Sequence, residues 1–291
     1  MAQNPVIGRF APSPTGSLHF GSLVSAVGSY LQAKCPGGRW LLRIEDIDPP
    51  REVAGSSDEI IGDLRRLGML ADEPVLYQSS RTGAYQTAVD LLLDKGLAYP
   101  CACSRKDLPS SGIYPGTCRN GIPKGKVSRA VRFRVDTSVC EFDDTLQGLI
   151  CESTASACGD FVIHRADGLY AYQLAVVIDD HFQGITQIVR GADLLDSTCR
   201  QIFLQKALGM VTPEYMHLPV ATSTDGKKLS KRNQADPVNH HDPAFTVHQA
   251  LCFLGQSPPT KLSLDALWRW ALEHWDNSLI PRQKEIISAW V

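Results

Sequence analysis

The first 44 residues of the chain show the pattern of a strand, a tight turn, a helix and a second strand. An apolar run at residues 6–10 leads into the turn-forming segment 11–16, which reads Ala-Pro-Ser-Pro-Thr-Gly. Helical spacing follows over 18–34, and the apolar segment Trp-Leu-Leu-Arg-Ile occupies 40–44. Short apolar strands joined through a helix are typical of parallel sheets. The pattern therefore predicts an α/β fold with a Rossmann-like parallel sheet.

The residue pattern of the sequence changes twice further along the chain. Residues 98–159 are rich in Gly, Pro, Ser and Cys and are predicted to form an inserted module. We predict that residues 1–97 and 160–221 together form a split Rossmann-like catalytic core. Residues 222–291 are predicted to form a basic loop and a helical C-terminal domain.

Individual elements are predicted from the spacing of apolar residues. Helices are expected over 56–70 and 81–96, with Gly96 ending the second one. After Leu195 the spacing is helical to the end of the sequence, with breaks near 222–231 and at Pro258-Pro259. Further strands of the parallel sheet are predicted at 161–163, 174–178 and 185–189.

Composition narrows the possible functions. The formal net charge of -2 argues against a strongly basic nucleic-acid coat, although a local basic face is compatible with it. The sequence has no apolar stretch long enough for a membrane helix and no signal-peptide pattern. Its nine cysteines, without an export signal, favour free thiols and metal ligands over disulfides. We expect a soluble cytoplasmic monomer with no membrane partner.

A phosphate-binding pattern lies at the start of the first predicted helix. Helix N-termini offer unpaired N–H groups that suit phosphate. His19 can donate to a phosphate oxygen there, and Gly21 lets an adenine or ribose lie against the backbone. Taken singly, His19 is better explained as a capping or packing residue, and Gly21 as a packing contact.

A basic pattern occupies residues 225–232, which read Asp-Gly-Lys-Lys-Leu-Ser-Lys-Arg. Cations carried on a glycine turn suit a triphosphate. In isolation, the same pattern fits a solvated basic loop.

Together the two patterns resemble the signatures of class I aminoacyl-tRNA synthetases. His19-Phe20-Gly21-Ser22 is similar to the HIGH signature, and Lys228-Leu229-Ser230-Lys231-Arg232 to the KMSKS signature. Ser22 stands where the first signature usually ends in His, a departure common in the glutamyl-type members. The resemblance to the glutamyl type covers about residues 5–255 and includes the segments 9–16, 42–48, 172–180, 185–186 and 189–193, together with Arg51.

The resemblance implies that the protein activates glutamate with ATP. A carboxylate would attack the α-phosphate, a step that depends mainly on positioning and charge stabilisation. The helix N-terminus and His19 would hold the triphosphate, Lys231 would neutralise the leaving phosphates, and Mg²⁺ would bridge phosphates. The expected catalytic residues are His19, Gly21, Lys228 and Lys231. The expected ATP-binding residues are Pro12, Ser13, His19, Gly21, Ser22 and Lys231.

A glutamate substrate has two carboxylates and one ammonium, so its site needs guanidinium groups and an acid. Arg9 and Arg190 end two predicted strands, and the carboxyl ends of parallel strands face one crevice. Glu45 is placed to receive the ammonium, and Tyr172 to offer its hydroxyl. The expected glutamate-binding residues are Arg9, Phe10, Ala11, Pro12, Ser13, Glu45, Tyr172 and Arg190.

Arg190 also has a simpler interpretation as one half of a surface ion pair with Asp193 or Asp196. The glutaminyl relatives have no cation at the matching position. By this resemblance, Arg190 favours glutamate over glutamine as the substrate.

A candidate metal site lies in the predicted insertion. Cys101, Cys103 and Cys118 have a spacing that suits a tetrahedral zinc ion, although buried free thiols are common. A structural zinc ion would suit a module with little apolar core. Resemblance to zinc-bearing glutamyl-type enzymes points to Tyr114 as the fourth ligand. The rival fourth ligands are Cys140, Cys151 and Cys158.

The length of the chain selects a branch of the family. Glutamyl-tRNA synthetases continue well beyond the second signature, whereas only residues 233–291 follow it here. This resembles a branch that activates glutamate without tRNA and transfers it to the queuosine base in the anticodon of tRNA(Asp). Two alternatives stay open: a truncated glutamyl-tRNA synthetase that charges a 3′ end, and an inactive synthetase-like module that binds RNA.

Overall fold

The secondary structure is given by a computed structural model that describes residues 5–135, 139–153, 159–223, 237–288 and 290. The helices in these residues are α1 (Phe20–Lys34), α2 (Ser56–Arg66), α3 (Thr82–Asp94), α4 (Tyr172–Phe182), α5 (Leu195–Leu208), α6 (Pro243–Phe253) and α7 (Leu264–His274). The strands are β1 (Ile7–Phe10), β2 (Arg39–Ile44), β3 (Leu76–Tyr77), β4 (Ala98–Cys101), β5 (Ala130–Phe133), β6 (Val139–Asp144), β7 (Gly148–Ser153), β8 (Phe161–His164), β9 (Gln187–Gly191), β10 (Glu214–Leu218), β11 (Val220–Thr222) and β12 (Glu285–Ile287). Among the described helices, none is both long and apolar enough to span a bilayer.

The centre of the fold is a parallel sheet in two halves. One half has the parallel order β1-β2-β3, and the other has the order β7-β6-β10-β9, in which only β7 is antiparallel to its neighbour. The halves meet where the Thr186 N–H donates to the Ile7 carbonyl at 3.0 Å and the Ile7 N–H donates to Thr186 Oγ1 at 2.9 Å. The prediction of an α/β fold with a parallel sheet is confirmed.

Helix α1 packs closely against this sheet. Leu23, Val27 and Leu31, spaced four residues apart, are fully buried on one face of the helix. Gly28 allows the helix to approach β10, because a Cβ atom there would lie 2.5 Å from Leu218 Cδ1. The close packing sets the N-terminus of α1 at the carboxyl ends of the neighbouring strands.

Helices α2 and α3 confirm the two helices predicted before residue 97, with ends that differ by a few residues. Helix α3 ends in a Schellman motif, in which the Gly96 N–H donates to Leu93 O and the Leu97 N–H donates to Leu92 O. Gly96 has a φ of 68°, which explains the preference for glycine there.

Two predicted parallel strands are wrong. Residues 161–163 belong to β8, which pairs antiparallel with β5 in the separate sheet β4-β5-β8. Residues 174–178 lie in helix α4 and are all buried. An apolar run that is buried on every side has no helical or strand periodicity, so its pattern fits either element.

The prediction of helix from Leu195 to the end is also wrong in part. Helices α5, α6 and α7 form as expected, but β10 and β11 follow α5, and β12 returns to pair in parallel with β11. In β10, residues 215–218 are all buried inside the sheet, so the strand lacks the usual alternation of buried and exposed positions.

The division into a core, an insertion at 98–159 and a C-terminal domain stays a prediction. One pairing bears directly on its boundaries. The hairpin β6-β7 lies within 98–159, yet β6 joins β10 of the central sheet through the pair Asp144–Tyr215.

Candidate active site

A pocket of about 740 Å³ opens at the carboxyl ends of the central strands. Parallel sheets place ligands at this edge, where two halves of the sheet diverge. The predicted glutamate- and ATP-binding residues that the structure describes all line this pocket, namely Arg9, Phe10, Ala11, Pro12, Ser13, His19, Gly21, Ser22, Glu45, Tyr172 and Arg190. The roles of these residues stay predictions.

The loop between β1 and α1 is held by hydrogen bonds from its neighbours. The Glu45 N–H donates to the Pro12 carbonyl at 3.0 Å, and the Val53 N–H donates to the Pro14 carbonyl at 2.9 Å. The Ser56 hydroxyl donates to the Gly16 carbonyl at 2.7 Å. These bonds give the loop a fixed shape that faces the pocket.

His19 is the N-cap residue of α1. Its Nδ1 accepts a hydrogen bond from the Ser22 N–H at 3.2 Å, and its Nε2 lies 2.9 Å from Ser22 Oγ. The capping interpretation is therefore correct, and the ring also lines the pocket. A helix N-terminus with a histidine cap directs N–H groups and a positive dipole end toward the pocket.

Arg9 belongs to a buried group of charges beside the pocket. Asp180 Oδ1 accepts a hydrogen bond from Arg9 Nε at 3.0 Å and lies 2.8 Å from Arg43 Nη2. Arg43 Nη2 is also 3.8 Å from Glu45 Oε1. Burial opposes the ionisation of Asp180, but Arg43 and Arg9 outweigh it and hold its pKa below the ordinary value.

Glu45 is the titratable residue of this group near neutral pH. Its side chain lines the pocket and is only 8% exposed. Burial raises the pKa of Glu45 to about 7, against the opposing effect of Arg43 and Arg9. Below this pKa the carboxyl is neutral, and above it the carboxylate can receive an ammonium group.

Glutamate binding is therefore expected to strengthen as the pH rises through the Glu45 pKa of about 7. The protonated carboxyl offers no charge to the substrate ammonium, so the KM for glutamate should fall from mildly acidic to mildly alkaline pH. The measurement is the pH profile of the KM in pyrophosphate exchange, with Glu45→Gln as the control because ATP phosphates also titrate. An equally strong pH dependence in Glu45→Gln would contradict the assignment.

Arg190 and Tyr172 line the same pocket as the loop. Arg190 is 4% exposed, so it is not the surface ion pair considered above. Its Nε donates to His217 Nε2 at 3.0 Å, and its Nη2 donates to Thr198 Oγ1 at 2.8 Å. Its Nη1 is 3.5 Å from the Tyr172 hydroxyl. Burial raises the pKa of Tyr172, so this hydroxyl stays protonated and can donate to a carboxylate.

Sequence reasoning missed several residues at this site. Arg165 lines the pocket and pairs with Asp48 at 3.1 Å, but it lies in a segment without any recognisable motif. His217 accepts a hydrogen bond from Arg190, and Asp144 in turn contacts His217. Asp144 and His217 are 73 positions apart, and no local pattern connects them.

The predicted catalytic residues Lys228 and Lys231 lie outside the described residues, as does the whole basic pattern 225–232. The described chain on both sides of them is close to the pocket. Val220 lines it, and Pro237 pairs with His19.

The three predicted metal-binding cysteines come together beside β4. Cys103 Sγ and Cys118 Sγ are 3.7 Å apart, and the three sulfur atoms lie within 4.8 Å of one another. The Tyr114 hydroxyl is 3.4 Å from Cys101 Sγ and 3.5 Å from Cys103 Sγ. A tetrahedral zinc ion with Zn–S bonds of about 2.3 Å separates its sulfur ligands by about 3.8 Å. The four side chains therefore fit zinc.

The surroundings of this cluster suit negatively charged ligands. Arg132 Nε donates to Cys101 Sγ at 3.3 Å, and the Arg132 guanidinium lies over the Tyr114 ring at 3.8 Å. Backbone N–H groups of Ala102 and Cys103 also donate to the sulfur atoms. Such donors are typical of the groups that orient metal ligands.

Two rival fourth ligands are excluded by position. Cys140 lies in β6 and Cys151 in β7, and the candidate metal cluster in the described residues contains neither. Cys158, the third rival, lies outside the described residues.

Known proteins match this fold along nearly its whole length. The family described as tRNA synthetases class I (E and Q), catalytic domain, matches residues 5–111 and 117–264. The glutamyl-Q tRNA(Asp) synthetase of Dechloromonas aromatica (strain RCB) is 51% identical over an alignment of 296 positions that covers 98% of each chain.

Solved structures give the same result for the fold. The glutamate-tRNA synthetase of Elizabethkingia anophelis is 26% identical with a TM-score of 0.82, and the match covers 98% of this chain and 68% of that one. A glutamate tRNA ligase from Elizabethkingia meningosepticum CCUG26117, solved in complex with its amino acid, is also 26% identical. Its TM-score is 0.80, and the match covers 96% of this chain and 66% of that one.

The chain therefore belongs to the class I tRNA synthetases of the E and Q type, and within them to the family of the glutamyl-Q tRNA(Asp) synthetases. It is an enzyme of the ligase class.

Proposed function

We propose that the protein activates L-glutamate with ATP, without tRNA, and transfers the glutamyl group to the queuosine base in the anticodon of tRNA(Asp). The observation that carries the proposal is the pocket where Arg9, Glu45, Tyr172 and Arg190 meet the N-terminus of α1. Relatives near 50% identity that are named glutamyl-Q tRNA(Asp) synthetase support queuosine in tRNA(Asp) as the acceptor of the glutamyl group.

The charges of the pocket complement those of glutamate. Glu45 would receive the α-ammonium, and Arg190 with the Tyr172 hydroxyl would bind the side-chain carboxylate. The Arg9 Nε donates to Asp180, and the terminal nitrogens of Arg9 would bind the ligand. An arginine fork matches a carboxylate with two parallel hydrogen bonds, which gives both charge and shape recognition.

Adenylate formation then needs the α-carboxylate in line with the α-phosphate of ATP. The carboxylate oxygen forms a bond to phosphorus as the bond to pyrophosphate breaks. The N-terminus of α1 and His19 would hold the triphosphate, and Lys228 and Lys231 would neutralise the departing phosphates. ATP brings Mg²⁺ with it, which adds positive charge between the phosphates.

The role proposed for zinc is structural. Cys101, Cys103, Cys118 and Tyr114 would hold one ion, which fixes the segments around β4 to one another. This region has a small apolar core, so metal binding contributes a large part of its folding energy. The surface it stabilises is proposed to contact the RNA.

Removing zinc, or replacing Cys101 and Cys103 with Ser, should loosen the segments around β4 while the central sheet, including β6 and β7, stays folded. We expect protease cleavage within 101–130 of the variant and near-normal adenylate formation. Metal analysis of the untreated protein should give about one zinc ion per chain. Cys35→Ser, at an exposed thiol that is not part of the cluster, is the matched control. Metal content well below one zinc ion per chain in untreated protein would contradict the site.

The proposed acceptor is tested with labelled glutamate and ATP. Pyrophosphate exchange should proceed without RNA, and label should transfer to queuosine-containing tRNA(Asp) but not to tRNA(Asp) that lacks queuosine. Trimming the terminal adenosine from the queuosine-containing tRNA should leave transfer intact, because the nucleophile is a hydroxyl of the modified base in the anticodon loop.

The alternatives predict different results. A truncated glutamyl-tRNA synthetase would lose transfer when the terminal adenosine is trimmed. An inactive RNA-binding module would show no pyrophosphate exchange at all. Action as a monomer and location in the cytoplasm stay predictions.

A further inference from the structure

The partners of Arg190 are all electrically neutral. His217 Nε2, Thr198 Oγ1 and the Tyr172 hydroxyl surround its guanidinium at 3.0, 2.8 and 3.5 Å. In the described part of the chain, Arg190 forms no ion pair with a carboxylate. Arg9 and Arg43 differ, because both pair directly with Asp180.

One carboxylate, Asp144, acts on Arg190 through an imidazole. Asp144 Oδ2 is 2.6 Å from His217 Nδ1, and both side chains are completely buried. Burial, together with the charges of Arg190 and Arg9, holds the pKa of His217 below its ordinary value, although Asp144 raises it. Burial opposes the ionisation of Asp144, but hydrogen bonds from His217 and the Gln147 N–H keep its pKa below the ordinary value. The imidazole is thus neutral and faces a carboxylate.

This pairing fixes the tautomer of His217. An ionised Asp144 can only accept a hydrogen bond, so His217 carries its proton on Nδ1. Its Nε2 is then an acceptor, which matches the Nε–H of Arg190. The other oxygen of Asp144 is fixed as well, because Oδ1 accepts from the backbone N–H groups of Leu146, Gln147 and His217.

We propose that Asp144 and His217 are positioning residues that hold the Arg190 guanidinium without neutralising it, and so set the preference of the pocket for glutamate over glutamine. Direct pairing with a carboxylate would orient Arg190 equally well, but it would cancel the charge that a substrate carboxylate needs. A buried cation with only neutral partners favours an anionic ligand over its neutral amide. The identity of the substrate in this inference rests on the proposed function, whereas the tautomer of His217 is independent of that function.

Asp144→Asn tests the arrangement with little change in shape. The three backbone N–H donors keep the amide oxygen at the Oδ1 position, so the amide NH2 must replace Oδ2. That NH2 donates to His217 Nδ1 and moves the ring proton to Nε2, where it opposes the Nε–H of Arg190. The replacement of a carboxylate by an amide beside a histidine is known to impose the wrong tautomer.

The first measurement is nitrogen NMR of histidine-labelled protein, with the His217 signals assigned by comparison with His217→Gln. We expect the proton on Nδ1 in the wild type and on Nε2 in Asp144→Asn. The second is pyrophosphate exchange, in which the KM for glutamate should rise roughly 10- to 100-fold while the KM for ATP stays within about twofold. The preference for glutamate over glutamine should fall by the same factor as the KM rises.

Two further comparisons separate positioning from a general loss of structure. Asp63→Asn, at another buried carboxylate that is 6% exposed and outside the pocket, should leave both KM values unchanged. His217→Leu should behave like Asp144→Asn, whereas His217→Gln should restore much of the glutamate affinity because its amide oxygen can accept from Arg190. If Asp144→Asn does not fold, the comparison of His217→Leu with His217→Gln still tests whether His217 positions Arg190.

A proton on Nε2 in the wild type, or a normal KM for glutamate in both Asp144→Asn and His217→Leu, would overturn the proposal. Failure of the proposed function has another signature. In that case the wild type itself shows no glutamate-dependent exchange, although the NMR result still agrees with the predicted tautomer.

Discussion

Arg190→Gln is expected to lower kcat/KM for glutamate by roughly 10²–10³-fold. The substitution removes the buried charge that is proposed to bind the side-chain carboxylate, and it leaves His217 Nε2 without the Arg190 Nε–H. The KM for ATP should change little, because the nucleotide is proposed to lie on the side of the α1 N-terminus. Pyrophosphate exchange at varied glutamate and ATP concentrations measures both parameters.

Specificity gives a second, independent readout for Arg190. Activation of glutamine should be much less affected than activation of glutamate, so the ratio of the two kcat/KM values should narrow. Arg269→Gln, at an exposed arginine of α7, is the control and should leave both substrates unaffected. Equal losses for glutamate and glutamine would show that Arg190 does not read the substrate carboxylate.

Lys231→Ala is expected to lower the rate of adenylate formation by roughly 10²–10³-fold while glutamate binding changes little. This prediction depends on the KMSKS resemblance, since Lys231 lies outside the described residues. The proposed contact strengthens as negative charge builds up on the leaving pyrophosphate. The loss should therefore appear in kcat, because the interaction belongs to the transition state.

Single-turnover formation of glutamyl-adenylate at saturating ATP is the appropriate measurement for Lys231→Ala. Lys227→Ala removes a lysine four positions before Lys231 and outside the signature, and it should keep a near-normal rate. If Lys231→Ala raised the KM for ATP at an unchanged rate, Lys231 would contribute only to binding.

Local patterns were sufficient for the opening of the fold. Strand β1, helix α1 and strand β2 are each specified by a short run of sequence with clear periodicity or turn residues. Their connection also brings the loop 11–16 to the carboxyl edge of the sheet. For this reason the pocket lining near the N-terminus of the chain followed from sequence alone.

Elements and contacts that depend on residues distant in sequence could not be predicted. The segment 174–178 is buried on all sides as part of α4, so its composition did not distinguish helix from strand. Strand β12 consists of only three residues and exists because β11 offers an edge to pair with. The support of Arg190 by Asp144 and His217 likewise depends on β6 and β10 lying side by side.

The joint between β1 and β9 has a consequence for the order of folding. Ile7 pairs with Arg39 of β2, which is close in sequence. Its hydrogen-bond partner in the other half of the sheet, Thr186, is 179 positions away. Closing the longer loop costs more entropy than closing the shorter one, so local pairing should precede it. Arg9 and Arg190 stand on the two sides of this joint. During refolding, we expect the β1-β2 unit to form before glutamate binding recovers. The pocket needs both halves of the sheet, and these join only when Ile7 contacts Thr186.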